Sequence, residues 1–150
     1  MMQRDVLIGG EESGGIGIKG HIPEGDGILM GLLLLEIIAE AGVPLHELIG
    51  DLQQVAGPAC YARSDLYLRH PIAKQDMVAR LTNDAPPSIG GETVEAVSTL
   101  DGVKYHLADD GWLLIRPSGT EPVLRVYAEA PSDAGVQALL NYGSEVAASV

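Results

Sequence analysis

Residues 116–122 read Arg-Pro-Ser-Gly-Thr-Glu-Pro, a combination of residue types that suits the binding of an anion such as phosphate. Arginine can form paired hydrogen bonds with phosphate, hydroxyls donate to its oxygens, and glycine lets backbone N–H groups approach closely. The prolines stiffen both ends of the segment and reduce the ordering cost of binding. An ordinary β-turn, which uses the same residue types, is the alternative. The predicted phosphate-binding residues are Arg116, Ser118, Gly119 and Thr120, with Arg125 as a second positive charge.

A second segment, the glycine-rich residues 9–15, contains two carboxylates and a hydroxyl, from Glu11, Glu12 and Ser13. Carboxylates accept hydrogen bonds from sugar hydroxyls, and they can also bind a cation. A solvent-exposed acidic turn is the alternative interpretation. Lys19 and His21 follow closely and are further candidate substrate contacts, able to meet a phosphate or carry a proton, although both residue types commonly lie on a surface.

The first part of the chain is predicted to contain a short strand and two helices. The strand covers residues 5–8 and leads into the glycine-rich segment. Asp26 is a good N-cap for a helix from Gly27 to Ala41, and Gly42 ends it. Leucines cover most of the circumference of this helix, so we expect it to have neighbours on several sides. A second helix is predicted at residues 44–55, and Gly57-Pro58 then breaks the chain, which puts a domain boundary at about residue 57.

Residues 58–150 predict consecutive strands with a helix near each end. The strand signals lie at residues 61–69, 93–99, 103–107, 112–116 and 123–130, and the helix signals at 71–83 and 132–148. Asp101-Gly102 is a strong hairpin turn signal between two of these strands. Hairpin-linked strands flanked by helices indicate an α+β fold with an antiparallel sheet. Alternation along the first strand puts five side chains on one face: Tyr61, Arg63, Asp65, Tyr67 and Arg69.

Composition narrows the classes of partner. The chain has 150 residues, with nine basic against 21 acidic side chains and a net charge of -12. This charge argues against binding to nucleic acid or to an anionic membrane surface, whereas a phosphate site needs only a few local groups. The most apolar run, residues 28–39, is interrupted by Glu36 and is too short to span a membrane. The single cysteine, Cys60, is predicted to be a buried structural thiol and favours a cytoplasmic location.

The two motifs together resemble those of the α-D-phosphohexomutases, which comprise the phosphoglucomutases and phosphomannomutases. Residues 10–15 and 17–24, followed by Asp26-Gly27, resemble the sugar-binding loop near the end of the third domain of that family. Residues 116–122 with 125–129 resemble the phosphate-binding loop of the fourth domain. The motifs occur in the family order, and the resemblance covers essentially all of the chain.

The resemblance implies a role for individual residues. Glu11 and Ser13 match the positions that bind the ring hydroxyls of the sugar, and Arg116, Ser118, Gly119 and Thr120 match those that hold the phosphate that is not transferred. Residues 1–57 would be the C-terminal part of domain 3, a strand-loop-helix remnant of an α/β domain. Residues 58–150 would be domain 4, with a sheet and two helices as in the TATA-binding-protein fold. Gly25 departs from the family pattern, where a basic residue is often found, and this predicts the loss of a phosphate contact.

The implied activity is that of an isomerase of carbohydrate metabolism that interconverts hexose 1-phosphate and hexose 6-phosphate. The phosphoserine loop of the family, Thr-x-Ser-His-Asn-Pro, and its Asp-x-Asp-x-Asp magnesium loop do not occur in these 150 residues. We therefore assign no catalytic residue, metal ligand or cofactor here, expect Mg²⁺ and the missing N-terminal domains in the full-length parent, and predict that the isolated chain is inactive. The alternative is a non-catalytic sugar-phosphate-binding or oligomerisation module that self-associates through its exposed helix.

Overall fold

The computed structural model describes residues 5–10, 15–22, 24–68, 73–118 and 121–149. The chain divides into two compact units, residues 1–52 and 53–150. The predicted boundary at about residue 57 lies a few residues beyond this division.

The first unit contains a two-stranded hairpin and helical structure. Strand β1 (Ile8–Gly10) pairs antiparallel with β2 (Ile16–Ile18). Helix α1 (Gly27–Ala41) follows, and helix α2 (Leu45–Ala56) continues past the division into the second unit. The strand predicted at residues 5–8 is observed at residues 8–10. It therefore shares only its first residue with the prediction, and it includes the first two glycines of the glycine-rich segment.

Helix α1 begins and ends where its capping residues predict. One carboxylate oxygen of Asp26 accepts hydrogen bonds from the N–H groups of Ile28 and Leu29, each at 3.0 Å. Gly42 has a φ of +69° and lies at the C-terminus, in the left-handed conformation that glycine adopts without steric cost. The predicted limits of this helix are confirmed.

The apolar side chains of α1 and α2 are largely exposed. Ile28, Leu35 and Val55 are 80%, 63% and 88% exposed, and neither helix has a buried residue in the part of the chain that the structure describes. Among these described residues no single helix is long and apolar enough to cross a membrane, and only α1 and α2 taken together, bent by 84°, meet the criteria of length and composition.

In its described residues, the second unit contains a six-stranded antiparallel sheet and two complete helices, which confirms the predicted α+β fold. The elements are β3 (Cys60–Tyr67), α3 (Lys74–Asn83), β4 (Ser88–Ile89), β5 (Glu92–Ser98), β6 (Val103–Leu107), β7 (Trp112–Pro117), β8 (Val123–Ala130) and α4 (Asp133–Ala148). The strands follow the spatial order β3-β8-β7-β6-β5-β4. Strand β4 was not predicted, and helix α3, which was predicted from residue 71, begins at Lys74 with Ala73 as its N-cap. Arg69 lies outside the described residues.

One face of the sheet packs against the helices and forms the core. Along β7 and β8, alternate residues point into this core and are almost fully buried, because successive side chains of a strand face opposite sides of the sheet. Tyr105 of β6 connects the sheet to α3, since its buried hydroxyl donates to the carbonyl of Leu81 at 2.9 Å. The core residues of these elements include Leu113, Ile115, Leu124, Val126, Ala128, Met77, Leu81, Val136, Leu139 and Val146.

Cys60 lies at the start of β3 and is only partly buried, so the prediction of a buried thiol was too strong. Loss of solvent contact raises the pKa of the Cys60 thiol, and the nearby carboxylate of Asp133 raises it further. The thiol is therefore in its neutral form at physiological pH.

Candidate functional site

The β7–β8 hairpin brings together the described residues that were predicted to contact phosphate. Arg116 near the end of β7 lies directly opposite Arg125 of β8, so both side chains leave the same face of the sheet. Ser118 follows β7, and its backbone N–H donates to the carbonyl of Val123 at 2.8 Å. Gly119 and Thr120 lie outside the described residues.

Asp101, in the turn between β5 and β6, joins two cations beside this hairpin. Its Oδ2 accepts a hydrogen bond from Nη1 of Arg116 at 2.6 Å, and its Oδ1 accepts one from Nζ of Lys74 at 3.0 Å. The hydrogen bond from Arg116, followed by that from Lys74, lowers the pKa of the Asp101 carboxyl. We call Lys74, Asp101 and Arg116 the Asp101 trio.

Sequence reasoning missed two members of this trio. Asp101 was interpreted only as a turn residue, and Lys74 only as part of a helix. Asp101 lies 15 residues before Arg116 and 27 residues after Lys74, so no local spacing in the sequence signals these contacts. The only indication of this contact in the sequence was that the turn residue, Asp101, is an aspartate.

Gly102 explains why the turn that carries Asp101 lies so close to Arg116. This residue has a φ of +95°, which favours glycine. A Cβ atom at this position would collide with the carbonyl oxygen of Ile115 and lie 3.1 Å from Cα of Arg116. The turn therefore packs directly on the backbone of β7.

A second carboxylate lies on the other side of β8. Asp65 of β3 pairs in register with Arg125, and it accepts two hydrogen bonds from Arg63, at 2.8 Å from Nε and 2.7 Å from Nη2. The hydrogen bonding from Arg63 is the main cause of the lowered pKa of Asp65, and the charge of Arg125 contributes. Alternation along β3 is as predicted, since Tyr61, Arg63, Asp65 and Tyr67 are more exposed than the residues between them.

Tyr127 lies at the centre of this group of arginines. Its ring centroid is 5.6 Å from the guanidinium carbon of Arg63 and 5.8 Å from that of Arg116. Within the described residues, the buried hydroxyl of Tyr127 and the buried Nε of Arg125 have no hydrogen-bond partner. This face of the sheet therefore brings three arginines together on a chain whose net charge is -12, and their donors are suited to holding an anion.

The candidate residues of the first unit are described in part. Glu11 and Ser13 lie outside the described residues. Nζ of Lys19 is 2.5 Å from Oδ1 of Asp5, and both side chains are well exposed. Nε2 of His21 is 2.9 Å from Oδ2 of Asp26, the capping residue of α1.

The Asp26 carboxylate is thus shared between the helix end and His21. The backbone hydrogen bond from Leu29 is the largest cause of the lowered pKa of Asp26, and the hydrogen bond with His21 is the next. His21 is thereby held beside the start of α1, three residues after Ile18 of β2.

Gly25, which departs from the family pattern, lies close to the end of the glycine-rich segment. A Cβ atom at this position would lie 3.1 Å from Cα of Gly15 and 3.6 Å from the backbone nitrogen of Ile16. A basic side chain here would require the glycine-rich segment to move by a few tenths of an ångström.

Potential metal ligands do not cluster in the described residues. Within residues 5–10, 15–22, 24–68, 73–118 and 121–149, no group of three or more histidine, cysteine, aspartate or glutamate side chains is placed to hold a metal ion. The expectation of Mg²⁺ in a full-length parent stays a prediction.

Comparisons with known proteins agree with the two-part organisation. The model of the phosphoglucomutase/phosphomannomutase C-terminal domain matches residues 71–142, and that of the alpha/beta/alpha domain III matches residues 1–55. A phosphoglucosamine mutase of Methanococcus aeolicus is 39% identical over 93% of this chain and 28% of its own length. A phosphoglucosamine mutase of Limosilactobacillus fermentum is 32% identical over 100% of this chain and 29% of its own length.

A solved structure is also similar. A phosphoglucomutase/phosphomannomutase family protein from Burkholderia thailandensis matches 98% of this chain over 30% of its own length, with a TM-score of 0.70 and 27% identity.

A further sequence relative, a phosphoglucomutase/phosphomannomutase of Thermococcus kodakarensis, is 30% identical over 95% of this chain and 29% of its own length.

The fold and the matched domains define the class of protein as that of the sugar-phosphate mutases. The chain belongs to the α-D-phosphohexomutase family, as its two motifs predicted. It spans between 28% and 30% of the length of the relatives named above.

Proposed function

We propose that this chain provides the sugar and distal-phosphate contacts of a phosphohexomutase during the interconversion of hexose 1-phosphate and hexose 6-phosphate. The observation that carries the proposal is the in-register pair Arg116 and Arg125, which flanks the loop that resembles the family's phosphate-binding loop. The names of the relatives favour a hexose or hexosamine phosphate as the ligand.

The proposed contacts divide between the two units. Arg116 and Arg125 would pair with the phosphate, while the loop at residues 118–120 would add hydroxyl and backbone N–H donors. Glu11 and Ser13 would hydrogen-bond the sugar hydroxyls. Lys19 and His21 would each have to share or leave the carboxylate that they contact now, Asp5 and Asp26 respectively.

We further propose that the chain by itself does not turn over substrate. Phosphoryl transfer needs an in-line nucleophile and a metal ion that neutralises charge, and the family motifs for both do not occur in this sequence. The partner would be the N-terminal part of a parent enzyme, and the location would be cytoplasmic. Sustained mutase turnover by the purified 150-residue chain would contradict this.

An NMR titration tests the binding role. We expect glucose 1-phosphate or glucosamine 1-phosphate to shift the amide signals of residues 116–125, and Arg116→Ala to weaken binding roughly ten- to a hundred-fold because a charged hydrogen bond is lost. Arg80→Ala is the control, since this exposed arginine of α3 contacts only Ser149 among its described hydrogen bonds. No shift at millimolar ligand in a folded sample would overturn the proposal.

A second candidate function is favoured by the exposed helices of the first unit. Apolar surface of this kind promotes association, and Leu32, Leu35 and Leu52 are 60%, 63% and 64% exposed. The chain would then act as a non-catalytic binding or oligomerisation module. Sedimentation velocity of the purified chain separates this function from the first.

A further inference from the structure

The Asp101 trio is the feature from which we infer a further role. One oxygen of the Asp101 carboxylate accepts from Arg116 and the other from Lys74. Each side chain is partly exposed, at 29% for Arg116, 52% for Asp101 and 55% for Lys74. Ion pairs with this exposure contribute little to folding stability, so stability alone does not account for the arrangement.

The backbone on both sides of the contact is closely packed. Gly102 packs against Ile115 and Arg116 without room for a Cβ atom, and the next residue, Val103, is fully buried. Asp101 is therefore presented to Arg116 from a turn that packs directly on β7. An acceptor placed in this way restricts the rotamers of the arginine before any ligand arrives.

A carboxylate beside an anion site has two opposing effects. Its charge repels phosphate, but Lys74 offsets this, because two cations and one carboxylate leave the trio with a net positive charge. Its hydrogen bond removes rotamer freedom that an arginine would otherwise lose on binding the ligand. The geometry therefore favours restriction of the Arg116 rotamers as the reason for the contact between Asp101 and Arg116.

We propose that Asp101 is a positioning residue that holds the guanidinium of Arg116 in the orientation in which the β7–β8 hairpin binds phosphate. This inference rests on the proposed phosphate-binding function. It assigns a role to a residue outside the loop that resembles the family motif, in a turn that belongs to a different hairpin.

Two substitutions of equal charge separate positioning from electrostatics. Asp101→Asn keeps an oxygen that can accept from Arg116, whereas Asp101→Ala removes it, and both remove the negative charge. In titrations of the full chain with inorganic phosphate, we expect the asparagine variant to bind at least as tightly as the wild type. We expect the alanine variant to bind roughly three- to ten-fold more weakly than the asparagine variant. Glu95→Ala, at an exposed position of β5, controls for net charge.

A measurement without ligand tests whether Asp101 orders the Arg116 side chain, separately from phosphate binding. The heteronuclear NOE of the Arg116 Nε–Hε group should report an ordered side chain in the wild type and in Asp101→Asn, and a mobile one in Asp101→Ala. Asp101→Ser, which keeps a short polar turn residue, replaces the alanine variant if the turn is disturbed.

Equal phosphate affinity of the charge-matched variants, or an Arg116 NOE that does not change between them, would overturn the positioning role. If the wild type binds neither phosphate nor glucose 1-phosphate, the proposed function fails. In that case the NOE comparison still decides whether Asp101 orders the Arg116 guanidinium.

Discussion

Arg116 and Arg125 leave the same face of the sheet, and each lies beside a carboxylate supplied by a neighbouring strand or turn. Asp101 contacts Arg116 directly, and Asp65 lies opposite Arg125 in the register of β3 and β8. Both carboxyls have lowered pKa values, because hydrogen bonds from Arg116 and Lys74 stabilise ionised Asp101 and hydrogen bonds from Arg63 stabilise ionised Asp65. Arg116 is thus held by a hydrogen-bond acceptor, whereas Arg125 only lies beside a carboxylate.

The lowered pKa of Asp101 predicts a contribution to stability that depends on pH. The carboxylate stabilises the folded state above its ordinary pKa of 3.8, and this contribution is lost as the pH falls through the lower folded value. Because the side chain is half exposed, we expect less than about 1 kcal/mol. Urea unfolding between about pH 6 and about pH 2.5 should therefore show a smaller loss of stability in Asp101→Asn than in the wild type.

The asparagine variant is compared with Glu95→Asn, which removes a charge from an exposed position of the same sheet. An identical pH dependence in wild type and Asp101→Asn would show that the contact does not contribute to folding in solution.

At the level of elements, α4 lies unusually close to β8, and one glycine permits this. A Cβ atom at Gly143 would lie 2.5 Å from Cγ1 of Val126 and 3.0 Å from its Cγ2. Val126 is fully buried and Gly143 is buried as well. The close approach sets the distance between this helix and the sheet that carries Arg125 on its opposite face.

Gly143→Ala is predicted to destabilise the second unit. The added methyl group overpacks the contact with Val126, and this effect outweighs the better helix propensity of alanine, so we expect a loss of about 1–3 kcal/mol. Chemical denaturation followed by tryptophan fluorescence measures it, because Trp112 lies on β7 of the same sheet.

Asn141→Ala is the matched control in the same helix, since this residue is exposed and alanine has the higher helix propensity. We expect it to be neutral or slightly stabilising. A Gly143→Ala variant as stable as this control would show that α4 can move away from β8 without cost.

At the level of the whole molecule, the exposed apolar side chains of α1 and α2 predict association. Sedimentation velocity of the purified chain should show species heavier than the monomer that increase with concentration, because burying this surface removes it from water. The double variant Leu32→Gln/Leu35→Gln should shift the population toward monomer. Leu100→Gln is the control, since Leu100 is a single exposed leucine in the β5–β6 turn, 97% exposed.

A wild-type chain that remains monomeric at all concentrations would contradict this prediction and would count against the oligomerisation module. The same result would leave the phosphate-binding role of Arg116 unaffected, because that role depends on the second unit.

The sequence alone was sufficient to predict the parts of this protein that depend on neighbouring residues. Asp26 and Gly42 predicted both ends of α1, and the Asp101-Gly102 pair predicted the turn before β6, because caps and turns follow from local backbone preferences. The alternation of residues along β3 predicted which side chains share a face. The phosphate-binding role of the loop that begins at Arg116 was predicted from residue types together with the family resemblance, and it stays a prediction.

The tertiary structure decided which of these local features meet. Only the strand order places β3 beside β8, and with it Asp65 opposite Arg125, although the two strands lie at opposite ends of the second unit's sequence. Likewise, only the packing of the β5–β6 turn on β7 brings Asp101 to Arg116. These contacts join residues far apart in the chain, so they depend on the packing of the whole sheet, and no local preference encodes them.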